Sequence, residues 1–173
     1  MIKKTLSLIL IVSMVLLSGC FVDSNFERIQ RINQQEQPLY PYWPIKVFFD
    51  EQVYTVVILR NFTVEKAVEY TPDRSVCYTK GLKPVSNIEI KPYLGHTLDQ
   101  VEDDLGKYHV NIGSGHFMPS YLTKDGYLII FTVDWQTNIV EHSAKMDLFT
   151  GEAIEWYFFN GPESGSPYSE FSS

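Results

Sequence analysis

The stretch Ser120-Tyr121-Leu122-Thr123-Lys124-Asp125-Gly126-Tyr127-Leu128-Ile129-Ile130-Phe131-Thr132-Val133 decides the fold. Two apolar runs flank Lys124-Asp125-Gly126, and an Asp-Gly pair between such runs is the turn chemistry of an antiparallel hairpin. Residues 127–133 are apolar at nearly every position, which predicts a central strand covered on both faces. Downstream, residues 138–148 alternate. Val140, His142, Ala144, Met146 and Leu148 are expected on one face, and Glu141, Ser143, Lys145 and Asp147 on the other. Thr150-Gly151-Glu152 then turns the chain into a last strand, residues 153–159.

Upstream lies one clear helix, residues 97–105. Thr97 is a good N-cap, and Gln100 three residues later completes a capping box. Leu98, Val101 and Leu105 fall on one apolar face, and Gly106 supplies the left-handed stop. Further upstream, residues 45–49 and 53–59 are β-branched and aromatic runs around an Asp50-Glu51-Gln52 turn. Residues 63–70 fit a strand or a helix face, and strand parity is the better fit. Residues 76–79 and 88–90 complete the strand signals, and no internal repeat is visible. The expected fold class is α+β, a mostly antiparallel β-sheet with at least one packed α-helix (97–105). Residues 40–160 are expected to form this single domain. The polar, Gln/Asn-rich residues 20–39 read as a tether, and residues 161–173 have the composition of a disordered tail.

The N-terminus carries a different kind of signal. Lys3 and Lys4 precede an apolar run from Leu6 to Leu17, roughly 12 residues, within the ~7–15 of a signal peptide. The run is short of the ~20 residues of a spanning helix. It stops at Leu17-Ser18-Gly19-Cys20, which resembles the bacterial lipoprotein signal at all four of its positions. The resemblance implies that residues 1–19 are removed and that Cys20 is acylated. It implies an extracytoplasmic, lipid-anchored protein of the cell membrane or outer membrane. Phe21, where Asp would signal inner-membrane retention in Gram-negative cells, leaves the outer-membrane route open. Two or more acyl chains hold a protein stably at ~0.8 kcal/mol per buried CH₂.

Composition narrows the partners. Removing residues 1–19 from 173 leaves 154 residues, enough for one domain with a sizeable core. Of the 14 basic residues, Lys3 and Lys4 are lost, leaving 12 against 21 acidic ones and a formal charge of −9. Such a chain is a poor partner for nucleic acid. With Cys20 lipidated, Cys77 has no disulfide partner and is expected to be a buried, inert strand thiol.

Residues 95–152 also resemble small bacterial lipoproteins of the SmpA/OmlA type, related in layout to β-lactamase-inhibitor-like domains. The likeness lies in Gly95-His96-Thr97, the helix closing on Leu105-Gly106, and the strands joined through Lys124-Asp125-Gly126. It covers about a third of the chain and implies helices against an antiparallel sheet and a non-enzymatic, binding or assembly role.

No catalytic constellation stands out. The four histidines, His96, His109, His116 and His142, have no zinc-ligand spacing, and there is no HExxH or CxxC motif. No metal or cofactor is expected. His142 reads as a hydrogen-bonded core residue, and Gly113-Ser114-Gly115 as a flexible turn. Asp99, Glu102 and Asp103 read as a solvated helix face. Trp43, in a Pro-punctuated aromatic cluster, and Trp135, at a strand end beside a polar turn, are the candidate ligand or partner contacts. The expected function is a membrane-anchored, non-catalytic module that binds another envelope protein. The alternatives are a ligand- or glycan-binding lipoprotein and, behind it, a hydrolase with a dispersed His/Asp site.

Overall fold

The computed structural model describes residues 23–159. The signal segment, Cys20 and the tail 161–173 lie outside the described residues. Within them the chain runs through helix α1 (Ser24–Gln35) and then strands β1 (Tyr40–Tyr42), β2 (Ile45–Phe49), β3 (Tyr54–Arg60), β4 (Thr63–Tyr70) and β5 (Val76–Lys80). A linker with one 3₁₀ turn (Lys91–Tyr93) leads to helix α2 (Leu98–Leu105). Strands β6 (Val110–Asn111), β7 (Pro119–Leu122), β8 (Tyr127–Val133), β9 (Val140–Asp147) and β10 (Ala153–Phe158) follow. Each set of five strands is an antiparallel meander forming its own sheet, in the orders β1-β2-β3-β4-β5 and β10-β9-β8-β7-β6. The expected α+β class is what the chain forms.

The two sheets pack face to face. Ile45, Val47, Val56, Ile58, Val68 and Tyr70 from the first sheet share one core with Leu122, Leu128, Ile130 and Ala144 from the second. Each sheet is also covered on its outer face. Helix α1 puts Ile29 and Ile32 against Phe48, Val57, Leu59 and Ala67 of the first sheet. Ile90, Leu98 and Val101 cover Tyr121, Ile129, Phe131 and Val133 of the second. This explains why β8 is apolar at nearly every position: alternate residues serve two different cores, and the strand is central, as its composition predicts.

Within the segment expected to be a tether, Ser24–Gln35 form a helix packed on the first sheet. Phe26, Ile29 and Ile32 recur at helical spacing among the polar residues, and Asp23 caps the helix by accepting from the Phe26 N–H. Burying an Ile is worth about 1.5–3 kcal/mol, enough to fix a polar helix at a sheet face. Arg28 of α1 also pairs with the buried Glu69 of β4, which accepts from Thr55 Oγ1 at 2.9 Å. The folded unit thus begins before Tyr40. Residues 88–90 differ as well: they form no strand. Lys145 Nζ donates to the Ile88 carbonyl at 3.1 Å, and Ile90 leads into the 3₁₀ turn set by Pro92. The linker instead makes its parallel bridge at Val85, to Thr123.

The structure contains a repeat where the sequence shows none: a helix followed by a five-stranded meander, twice. The irregularities match as well. The β3–β4 ladder shifts between Ile58 and Leu59, leaving Glu65 as a bulge after Val64. The β8–β9 ladder shifts between Thr132 and Val133, leaving Glu141 as a bulge after Val140. The last strand of each meander has a bulge one residue in, at Cys77 and at Ile154. A bulge inserts one residue and reverses the facing of what precedes it. Val140 accordingly joins the outer core with Phe131, while Ala144 and Met146 face inward. The single alternating face expected for residues 140–148 is thus broken at Glu141.

The two units are tied across their seam by polar contacts as well as by the core. Tyr70 Oη donates to the Thr123 carbonyl at 2.8 Å. Arg74, in the β4–β5 turn, reaches the buried Asp147 of β9 at 2.5 Å and lies over the rings of Tyr127 and Phe149.

Candidate functional site

The two tryptophans singled out in the sequence are both exposed, but they are not brought together. Trp43 sits in the β1–β2 turn, 57% exposed, with its ring 5.1 Å from that of the exposed Phe62 in the β3–β4 turn. Trp135 sits in the β8–β9 loop and is 80% exposed. Asp134 fixes that loop by accepting from the N–H groups of Gln136 (2.8 Å) and Thr137 (2.7 Å). These contacts hold its carboxyl below the usual Asp value, the Thr137 backbone contributing most. Trp135 has no ring partner among the described residues.

A third tryptophan, passed over in the sequence, has the more developed surroundings. Trp156 lies on β10, the outer strand of the second sheet, opposite Ala144 of β9. Phe158, two residues on, lies opposite His142. The two rings stack with centroids 6.0 Å apart, and His142 meets Phe158 edge-on at 4.6 Å. Both side chains share the inward face of Ala144, yet neither belongs to the core between the sheets. Trp156 is 40% and Phe158 39% exposed. Beside them lies a cavity of about 240 Å³, lined by Ile112, Met118, Ile130, His142, Met146 and Trp156 among others. Phe159 lies over Gly95, whose φ of +80° and lack of a Cβ permit the approach. The opposite face of β10 is anchored: Glu155 pairs with Lys145 at 3.0 Å, and Tyr157 packs on the outer core. The result is a firmly held edge strand with an aromatic stripe and, among the described residues, no strand on its outer side.

The equivalent edge in the first unit is different. On β5 the residue corresponding to Trp156 is Thr79, and Tyr78 and Lys80 are engaged by Asp23 at the start of α1, at 2.6 Å and 3.4 Å. The signal for the β10 stripe was present in Ile154-Glu155-Trp156-Tyr157-Phe158, which lacks the polar alternation of a strand with one solvated face.

The remaining chemistry-bearing residues are dispersed. His142 is a half-buried groove residue whose ring makes no hydrogen bond among the described residues, in place of the hydrogen-bonded core histidine expected. That role belongs to His109, whose Nδ1 accepts from the Leu122 N–H at 2.9 Å. Burial pushes His109 down to about 4, with Lys66 adding repulsion and the Lys83 backbone opposing through a hydrogen bond. His96 and His116 are exposed loop residues. None of the four histidines contacts a carboxylate among the described residues, and no three His, Cys, Asp or Glu side chains there converge as metal ligands. Cys77 is exposed at its bulge rather than buried. Desolvation, followed by the Glu69 charge, raises its thiol pKa, which keeps it protonated at neutral pH.

The chain matches no known protein family, and no curated protein or solved structure matches it either. The likeness of residues 95–152 to SmpA/OmlA-type lipoproteins rests on its motif words alone. Among the described residues no helix is long and apolar enough to cross a membrane.

His109 makes a pH prediction. Its folded-state pKa lies below the ordinary value of ~6.5, so the unfolded chain binds the extra proton first. The stabilisation by neutral His109 is complete above pH ~6.5 and is lost as pH falls towards about 4. The steepest slope is about 1.4 kcal/mol per pH unit. Urea unfolding between pH 4 and 7 should show this slope in the native protein and a shallower one in His109→Gln. Equal slopes in both would remove His109 as its source.

Proposed function

We propose that this protein is a lipid-anchored, non-catalytic binding module of a bacterial envelope. It is held at Cys20 and takes an extended segment of another envelope protein along β10. The observation that carries the reading is the exposed Trp156–Phe158 stripe on an edge strand beside an apolar groove. An open edge offers backbone N–H and C=O groups to an added strand, and alternate side chains of that strand reach the pocket beside it. Natural sheets usually blunt such edges with charge or cover. The first unit follows this pattern at Lys80 and Asp23, and β10 departs from it. The lipoprotein-like segment ending in Cys20 and the acidic composition support a membrane-tethered module that does not bind nucleic acid.

A second reading, glycan binding, has its own observation: the exposed pair Trp43–Phe62 and the exposed Trp135 offer flat rings suited to stacking on sugars.

Two outcomes test these readings. In cells, Cys20→Ser should move the protein from the membrane to the soluble fraction and abolish palmitate labelling; unchanged fractionation would remove the anchor. In cross-linking capture from envelope extract, Trp156→Ser/Phe158→Ser should lower recovery of a specific partner at least tenfold, as buried aromatic anchors do. Trp135→Ser should leave it unchanged. Loss only with Trp135→Ser or Trp43→Ser, with glycan in the eluate, would transfer the function to the second reading.

A further inference from the structure

A separate hollow lies where the two units meet, away from the β10 groove. Three segments build it: the β4–β5 turn with Arg74 and Ser75, the linker Lys83-Pro84-Val85-Ser86, and the β7–β8 turn with Lys124. It has two adjoining lobes of about 460 and 420 Å³, and Lys83, Pro84 and Lys124 line both. The first lobe continues to Tyr93 and Asp104; the second is an open depression bordered by Arg74 and Val76.

The two lysines are unusual in this molecule. The chain carries 21 acidic residues against 14 basic ones. Nearly every described basic side chain has a partner: Arg28, Arg60, Arg74, Lys80, Lys107 and Lys145 are in ion pairs, and Lys46 and Lys66 donate to oxygen atoms. Lys83 and Lys124 have no such contact among the described residues, and they border one cavity. Arg31, on α1, likewise makes no ion pair or bond to an oxygen atom among the described residues. The two lysine backbones are not free to drift. Val85 N–H donates to the Leu122 carbonyl at 3.0 Å, and Lys124 N–H donates to the Val85 carbonyl at 2.8 Å. This clamps the linker to the β7–β8 turn, holding Lys124 directly and Lys83 two residues before the bonded Val85.

The nearby carboxylates are largely spoken for. Asp147 holds Arg74, and the two oxygens of Asp125 accept from Thr123 Oγ1 at 2.7 Å and Asn87 Nδ2 at 2.8 Å. Asp104 lines only the first lobe, beside Tyr93, where it suits a hydroxyl or amine of a ligand.

We infer that this hollow binds a small organic oxyanion, a phosphate ester or a carboxylate, with its charge between Lys83 and Lys124. Both ammonium groups reach an oxyanion with charge-assisted hydrogen bonds, and each exposed side chain gives up rotamer freedom on doing so. The ligand body then lies in one lobe against Pro84 and Val76 or in the other against Ser86 and Tyr93. The chain's negative charge repels anions at long range, so recognition is by contact. It weakens as salt screens the lysines, with a Debye length of about 10 Å at 0.1 M.

The test is an NMR titration of the folded protein at low ionic strength with inorganic phosphate, pyrophosphate and citrate. The expected result is saturable shifts at Lys83, Ser86 and Lys124 with at least one probe. Lys83→Gln/Lys124→Gln should weaken binding at least tenfold, while Arg31→Gln, another unpaired cation removed elsewhere, should change it less than twofold. Preference for the phosphoryl probes or for citrate assigns the anion class. No saturable binding with any probe overturns the proposal, as does equal affinity in the lysine double variant. Neither result bears on the β10 edge, which uses different residues.

Discussion

The structure depends on one constraint: each sheet is apolar on both faces and must be covered twice. The inner faces solve this by packing on each other, with Ile58, Val68 and Tyr70 meeting Leu128, Ile130 and Ala144. The outer faces need helices, and each unit brings its own. Neither unit could hide its inner face alone, so the two are obliged to fold together. Polar ties across the seam, Tyr70 to Thr123 and Arg74 to Asp147, add direction to a contact that hydrophobicity alone leaves non-directional. A partly buried ion pair such as Arg74–Asp147 specifies which strand ends meet more than it adds net stability.

Much of this was legible in the sequence because periodicity and turn chemistry are local. The Asp125-Gly126 hairpin, the Thr97–Gln100 capping box, the Gly106 stop and the strands 45–49 and 63–70 all follow from short windows. What escaped was set by tertiary context. Helix α1 has only three apolar residues, and its composition reads as linker until the first sheet supplies a surface for Ile29 and Ile32. The bulges at Glu65 and Glu141 are invisible without a partner strand, although Val-Glu precedes the shift in both units. The repeat was hidden for the same reason: it is conserved in ladder irregularities and element order, not in residue identity.

The candidate site was legible only in part. Trp43 and Trp135 are exposed, as a contact requires, but an exposed ring alone defines no pocket. Trp156 emerged only when β10 proved to be an edge and its Ala144 neighbour proved to face inward. The functional features sit where the two units stop resembling each other. β5 is engaged by Asp23 at the start of α1, whereas its equivalent β10 has no strand on its outer side among the described residues. The linker is unique, and it brings Lys83 to the same hollow as Lys124. Departures from a repeat mark positions that the shared fold does not require, which is where binding chemistry can be added without loss of the core.

The most direct test of the account is native-state hydrogen exchange across a range of low denaturant concentrations. If the shared inner core makes the two units one cooperative body, the slowest amides of β3 and β4 and those of β8 and β9 should converge on one opening. They should share its free energy and its denaturant dependence. If the amides of one sheet open at a distinctly lower free energy while the other sheet stays protected, the units are independently stable. The face-to-face packing would then not be the interaction on which the fold depends.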